Sequence, residues 1–253
     1  MIGFNSGLMG VRRVPTTGTA TGLWVSNEQV LAKRAGIWPA GAGGDPDFAN
    51  VSLLLHMDGS NGSTTFTDSS SNAFAVTAFG NAQVTTTDPK FGTGALTLDG
   101  TGDYLTVAAD ADFQFGTGDF TVECWVYVNS VGNTGLFTFG GTGSGLAVNL
   151  YSGAWNLTTS GAGGAALGAV TTGAWQHLAV TRSGSSLRMF IDGTQIGSTL
   201  SNSTDLSDNA LKIGYYYDTS YTINARVDEF RVTKGVARYT ANFTPPTAAF
   251  PDA

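Results

Sequence analysis

Apolar and polar positions alternate with a period of two over residues 175–196, WQHLAVTRSGSSLRMFIDGTQI. Leu178 and Val180 alternate with Ala179 and Thr181, and Leu187, Met189 and Ile191 with Arg188 and Phe190, which predicts two long strands and the start of a third. Residues 182–186 supply a short polar turn, and Asp192-Gly193 is a hairpin signal, because a type I′ turn needs positive φ at both central positions. The clearest strand is residues 119–129, DFTVECWVYVN. Phe120, Val122, Cys124, Val126 and Val128 are assigned to an inter-sheet core. Thr121, Glu123, Trp125 and Tyr127 face either a concave groove or packed loops.

The remaining segments repeat the theme. Residues 51–56, VSLLLH, form an almost wholly apolar strand suited to burial on both sides. Residues 73–79 and 82–86 are further strands, and 91–107 reads as strand, Asp99-Gly100 turn and strand, with Leu96, Leu98, Leu105 and Val107 in the core. Residues 135–139, 146–151 and 154–159 form a meander, 160–169 (SGAGGAALGA) a flexible turn region, 211–222 a strand and an aromatic loop, and 225–246 a closing strand. The one convincing helix covers about residues 27–35: Ser26 caps it, Gln29 completes a capping box, Val25 and Val30 staple it, and Gly36 with Pro39 ends it. Residues 40–47, AGAGGDPD, are linker-like, dividing an anchoring arm (1–44) from a β domain (45–253).

Composition narrows the class. Among 253 residues, 35 are glycine and only 12 % are charged, a profile for short strands and tight turns. Cys124 is the sole cysteine, so no intrachain disulfide forms and stability comes from burial. MIGFNSGLMGVRRVP breaks too early for a secretory leader, and no apolar run reaches the ~18 residues of a membrane span. The 1–44 segment carries Arg12, Arg13, Lys33 and Arg34 against Glu28 alone, whereas the remainder is strongly acidic. An acidic body argues against a nucleic acid partner. The basic arm either docks on an acidic surface or is simply solvated.

Three segments resemble laminin-G-like domains of the concanavalin A-like lectin/glucanase type: WQHLAVTR with its following DG turn, FGTGALTLDGTGDYL (91–105) and ARVDEFRV (225–232). The opening run LLLHMDGSNGSTTFTDSSSN is similar to the start of such domains, and Ala225 stands where glycine is usual. The resemblance implies an all-β fold, a two-sheet antiparallel jelly-roll sandwich, here preceded by an extended N-terminal arm with one short helix. It also implies a structural calcium site at Asp58, Asp68 and Asp228, against the plain alternative of turn-solubilising carboxylates. Gly22, Trp24, Glu28, Gln29, Gly36, Trp38 and Pro39 resemble a motif of bacteriophage tail and capsid-appendage proteins, marine ones especially. That resemblance implies a virion location, with Arg12, Arg13, Leu23, Trp24, Val30, Leu31, Ile37 and Trp38 docking on other virion proteins. The alternative is that the apolar ones pack on their own β domain. Because a free monomer would expose these apolar residues, a homo-oligomer, trimer or ring subunit, is expected.

Catalysis is not expected. Glycoside hydrolysis needs two facing carboxyl groups, yet the chain has only Glu28, Glu123 and Glu229 as glutamates, and adjacent Asp228 and Glu229 fall on opposite faces of a strand. Cys124 with His56 or His177 is a poor nucleophile pair, since Cys124 lies on the core face. Exposed aromatics are the usual sugar platform. The candidates are Tyr151, Trp155, Tyr215, Tyr216, Tyr217 and Tyr221, with Trp125 and Tyr127 behind them; three consecutive tyrosines cannot all be buried on one strand face. The function expected is a non-enzymatic virion structural protein, tail fibre, appendage or capsid decoration, displaying a jelly roll for host-surface glycan binding. The alternatives are a glycan hydrolase of the same superfold and a scaffold whose groove is filled by its own loops.

Overall fold

The computed structural model describes residues 44–140, 145–160, 162–216 and 218–253. The predicted helix, the docking residues Arg12, Arg13, Leu23, Trp24, Val30, Leu31, Ile37 and Trp38, and Tyr217 lie outside the described residues.

One unit, Asp47–Asp252, contains the strands. In chain order they are β1 Val51–Leu55, β2 Val76–Phe79, β3 Gln83–Thr85, β4 Ala95–Asp99, β5 Tyr104–Val107, β6 Phe120–Val128, β7 Thr134–Phe139, β8 Leu146–Tyr151, β9 Ala154–Thr159, β10 Ala162–Ala169, β11 Trp175–Ser183, β12 Ser186–Ile191, β13 Thr194–Ser201, β14 Leu211–Ile213 and β15 Asn224–Lys234. They form two antiparallel sheets. Sheet A runs β13-β12-β11-β6-β15-β4-β3, with β1 pairing the second half of β15; sheet B runs β10-β9-β8-β7-β14-β5-β2. This is the jelly-roll sandwich expected. One apolar core lies between the sheets, with Val122, Cys124 and Val126 of β6 facing Phe137, Phe139, Trp155 and Leu211 of sheet B.

Three segments differ from the pattern reading. Residues 162–169 form strand β10 on the edge of sheet B, paired with β9. Glycine and alanine carry no period-two signal, and the pairing comes from the neighbouring strand, not from local propensity. The closing strand stops at Lys234, where Gly235 adopts φ +82°, and residues 236–252 run on without strand structure. Asp228 and Glu229 are not simply opposed. A bulge at Asp228/Arg231, with Glu229 at φ 50°, breaks the alternation.

That C-terminal tail decides what the outer face of sheet A can do. Val236 and Arg238 bond through backbone O and N to Thr121 Oγ1, Tyr239 O accepts from Thr181 Oγ1, and Phe243 N donates to Gly193 O. Tyr239 and Phe243 stack at 3.6 Å, and Phe243 lies against Phe190 and His177. Further along, Phe250 N donates to Glu229 Oε2, and Arg231 sits over the Phe250 ring at 3.8 Å. His56 bonds Glu229 through Nδ1 and Asp252 through Nε2 (2.9 and 2.6 Å). The Glu229 hydrogen bond, winning over burial, raises His56 to about 9, so it is a cation at neutral pH. The loop at 87–91 covers the other end: Lys90 Nζ lies 3.8 Å from the Trp125 ring centroid, and Arg226 bonds Thr87 O.

Beneath these covers is a buried ionic cluster. Glu123 Oε1 accepts from Arg231 Nε and Nη2 (3.0 and 2.7 Å), and Oε2 from Tyr239 Oη (2.8 Å). His177 Nε2 is 3.2 Å from Oε2, at ion-pair distance but out of line for a hydrogen bond. Burial alone would raise the Glu123 carboxyl; the Arg231 guanidinium, with His177 and Arg238 beside it, holds it well below the usual range. Between the two readings of Thr121, Glu123, Trp125 and Tyr127, groove or packed segments, the structure selects packed segments. At the opposite end Arg182, fully buried, donates to the carbonyls of Phe115, Gly116, Gly118 and Thr204 and to Asn202 Oδ1, tying two loops together.

Candidate functional site

With the sheet A face occupied by its own chain, the outer face of sheet B offers the accessible concavity. In β8 and β9 the residues Val148, Leu150, Trp155 and Leu157 point into the core, so Asn149, Asn156 and Thr158 point out. Asn149 and Asn156 are direct cross-strand partners. They floor a groove of about 400 Å³ lined by Asn133, Tyr151, Thr158, Tyr216 and Tyr221 as well.

Local geometry fixes each wall. Ser152 (φ 51°) and Gly153 (φ 77°) make a tight β8–β9 turn with positive φ at both positions, and Asn133 Oδ1 accepts from Ser152 N. Tyr151 stands at the end of this hairpin, 57 % exposed. The facing wall is the 214–222 loop, held by Gly135 N to Tyr221 O and Gly214 N to Leu136 O (2.8 and 2.7 Å). A Cβ at position 135 would lie 2.3 Å from the Tyr215 backbone, so only glycine lets the loop come this close.

The floor is polar and incompletely satisfied. Both asparagines are 6 % exposed; Asn149 Oδ1 accepts weakly from Thr158 Oγ1 at 3.4 Å, and Asn156 Nδ2 has no hydrogen-bond partner. A buried amide donor without an acceptor costs about 1–3 kcal/mol. Planar amides beside tyrosine rings suit a sugar, whose hydroxyls need donors and acceptors and whose C–H face packs on aromatic surface.

The predicted platform is therefore partly assembled. Tyr151, Tyr216 and Tyr221 line one groove. Trp155 does not join them. Its phase along β9 turns it into the core, where it is 0 % exposed. Tyr215 lies beside the groove and packs on Tyr104 (5.0 Å between centroids). Trp125 is buried against Phe91 and His177, and Tyr127 lies under Arg226. The residues missed from sequence were Asn133, Asn149, Asn156 and Thr158. Their signal was readable: asparagine is depleted in strands, yet two occur at polar phase in adjoining ones.

Asp58, Asp68 and Asp228, the candidate calcium ligands, are each engaged by hydrogen-bond donors of the protein. Asp58 accepts from Thr93 N, Thr93 Oγ1 and Gly94 N; Asp68 accepts from the N–H groups of Leu54, Ser70 and Phe74 and from Ser70 Oγ. Asp228 accepts from Lys90 N, Phe91 N and Glu229 N. Calcium needs six to eight oxygens, whereas these carboxylates accept from donors, Asp58 and Asp228 bracing the β3–β4 loop and Asp68 the segment after β1. Among the described residues no group of three or more His, Cys, Asp or Glu is placed to hold a metal. Burial pushes the Asp228 carboxyl up to about 7, against the pull of the Phe91 and Lys90 N–H groups. Burial likewise pushes the Cys124 thiol up, away from the nucleophilic thiolate.

Residues 99–238 match the family model described as the concanavalin A-like lectin/glucanases superfamily. The fold is similar to the binding domain of Paraclostridial Mosquitocidal Protein 1 (TM-score 0.59, 14 % identity, 76 % of this chain and 50 % of that one). It is also similar to the receptor binding domain of botulinum neurotoxin C/D mosaic serotype (TM-score 0.57, 15 % identity, 76 % and 49 %). A third similar structure is Trypanosoma rangeli sialidase in complex with the inhibitor DANA (TM-score 0.56, 16 % identity, 74 % and 31 %). The chain spans half or less of the length of these structures, and at such identities the likeness is one of fold. No curated protein matches the sequence.

Proposed function

The chain belongs to the concanavalin A-like lectin/glucanases superfamily, and from that premise we propose that it is a non-enzymatic carbohydrate-binding protein using the sheet B groove. The observation that carries this reading is the Asn149–Asn156 floor, with Tyr151, Tyr216 and Tyr221 lining the same groove. No carboxylate lines this groove among the described residues, and hydrolysis requires two. The one buried glutamate on β6, Glu123, is neutralised by Arg231 under the tail. Two of the similar structures being binding domains of toxins supports the same side of the choice.

Titration of the protein with oligosaccharides selected on a glycan array tests it. Tyr151→Ala and Asn156→Ala are each expected to weaken binding about tenfold, the equivalent of ~1.4 kcal/mol, with melting temperatures close to wild type for Tyr151→Ala. Failure of the intact protein to bind any glycan, or equal affinity in both variants, would sink the reading.

The wider role proposed is a homo-oligomeric virion appendage of a bacteriophage, the 1–44 arm docking on other virion proteins and the jelly roll facing host-surface glycans. The resemblance carried by Trp24, Glu28, Gln29, Trp38 and Pro39 supports it. Deleting residues 1–44 is expected to leave a folded, glycan-binding protein that no longer enters particles. Incorporation of the truncated chain at wild-type level would show the arm is not the anchor.

A further inference from the structure

The seven strands of sheet B, VTAF, YLTV, TGLFTF, LAVNLY, AWNLTT, AGGAALGA and LKI, contain one charged residue, Lys212. Sheet A carries many, and its cations are engaged: Arg182 on five acceptors, Arg226 with Asp88, Arg231 with Glu123, Lys234 on Ala111 O. Lys212 is different. Leu211 and Ile213 point into the core, so its side chain leaves the outer face. Its ammonium makes no ion pair and no hydrogen bond among the described residues. It rests 4.0 Å from the Tyr215 ring centroid and 6.0 Å from that of Tyr104. An edge lysine would be explained as a guard against strand pairing, but β14 lies between β7 and β5, in the interior of the sheet.

Its register places it in the same cross-strand row as the groove residue Thr158, with the buried Ala147 and Thr138 between them. Thr158, Ala147, Thr138 and Lys212 are successive cross-strand partners, and the row continues to Thr106 and Thr77. Three strand spacings separate Thr158 from Lys212, ~14 Å, and Tyr216 of the groove adjoins Tyr215, on which the ammonium rests. At the far side Phe79, 41 % exposed, stacks on Tyr104 at 4.7 Å and extends the aromatic surface. We infer that Lys212 forms a cationic subsite continuous with the groove, and that the ligand is an acidic oligosaccharide whose carboxylate or sulfate pairs with the ammonium. This rests on the glycan-binding reading and deepens it. A neutral sugar needs no cation here, whereas an anion would meet in Lys212, the one charged side chain of the sheet B strands, a partner for a charge-assisted hydrogen bond.

A panel of neutral, uronic-acid-containing, sialylated and sulfated oligosaccharides, followed by calorimetric titration of the best acidic member and its neutral counterpart, tests the subsite. The wild-type protein is expected to prefer the acidic member, and that preference to weaken with added salt. Lys212→Gln should lose about tenfold on the acidic member and little on the neutral one, and Lys212→Arg should keep the preference. The sialylated, uronic and sulfated arms separate carboxylate from sulfate. Equal binding of neutral and acidic members by wild type and Lys212→Gln, with loss in Asn156→Ala, overturns the subsite and leaves the groove standing. No binding to any member overturns both. Should Lys212→Gln fail to fold, the wild-type salt dependence and Lys212→Arg still decide.

Discussion

Glu123→Ala is expected to lower the stability of this domain by about 3–5 kcal/mol, the range for breaking a buried ion pair by removing one partner. The alanine would leave the Arg231 guanidinium without its carboxylate and the Tyr239 hydroxyl without its acceptor, both beneath the C-terminal tail. For a domain of this size that corresponds to a fall of ~10 °C or more in melting temperature. Hydrogen exchange should report the same event locally, with protection lost first over residues 236–252. Replacing both partners with apolar residues, Glu123→Met with Arg231→Met, should recover much of the loss, because a buried pair contributes little beyond its own desolvation. A Glu123→Ala protein melting within ~2 °C of wild type, its tail still protected, would contradict the cluster.

Trp155→Ala should be comparably severe, about 3–5 kcal/mol, through loss of burial and the cavity left between the sheets. Tyr151→Ala, four residues earlier and mostly exposed, should stay within ~0.5 kcal/mol of wild type. Thermal denaturation of the two variants side by side makes the comparison. Trp155→Phe should be milder than alanine, since the indole Nε1 has no hydrogen-bond partner in the core and its removal relieves that cost. Equal melting temperatures for Trp155→Ala and Tyr151→Ala would show that Trp155 is on the surface after all.

The same two residues show what the sequence could and could not say. Alternation along β6 assigned Phe120, Val122, Cys124, Val126 and Val128 to the core correctly, because a fully buried face leaves a strict period-two mark. Trp155 was grouped with the sugar platform by its type, although its phase, shared with Leu157, already placed it inside. Phase equally points to Asn149 and Asn156 as the outward pair. The far side of β6 was not legible. Thr121, Glu123 and Trp125 look half-exposed because their covers, Tyr239 and Lys90, come from distant segments that carry no periodic pattern. Strand β10 was missed for a related reason: its pairing with β9, not its own small side chains, makes it a strand. The acidic residues Asp58, Asp68 and Asp228 stand out by loop position, and they brace loops: Asp58 and Asp228 hold the β3–β4 connection and Asp68 the segment after β1.

The tail has a consequence for the order in which the fold is completed. Glu123 finds Arg231 only 108 residues later and Tyr239 116 residues later, and β6 itself pairs with both β11 and β15. The Glu123 carboxylate thus waits in water until the chain through Tyr239 has been made. Closing such long loops is entropically costly before any contact rewards it. β6 can pair with β11 first, but its outer face is covered, and Glu123 partnered, only when β15 and the segment through Tyr239 have joined it.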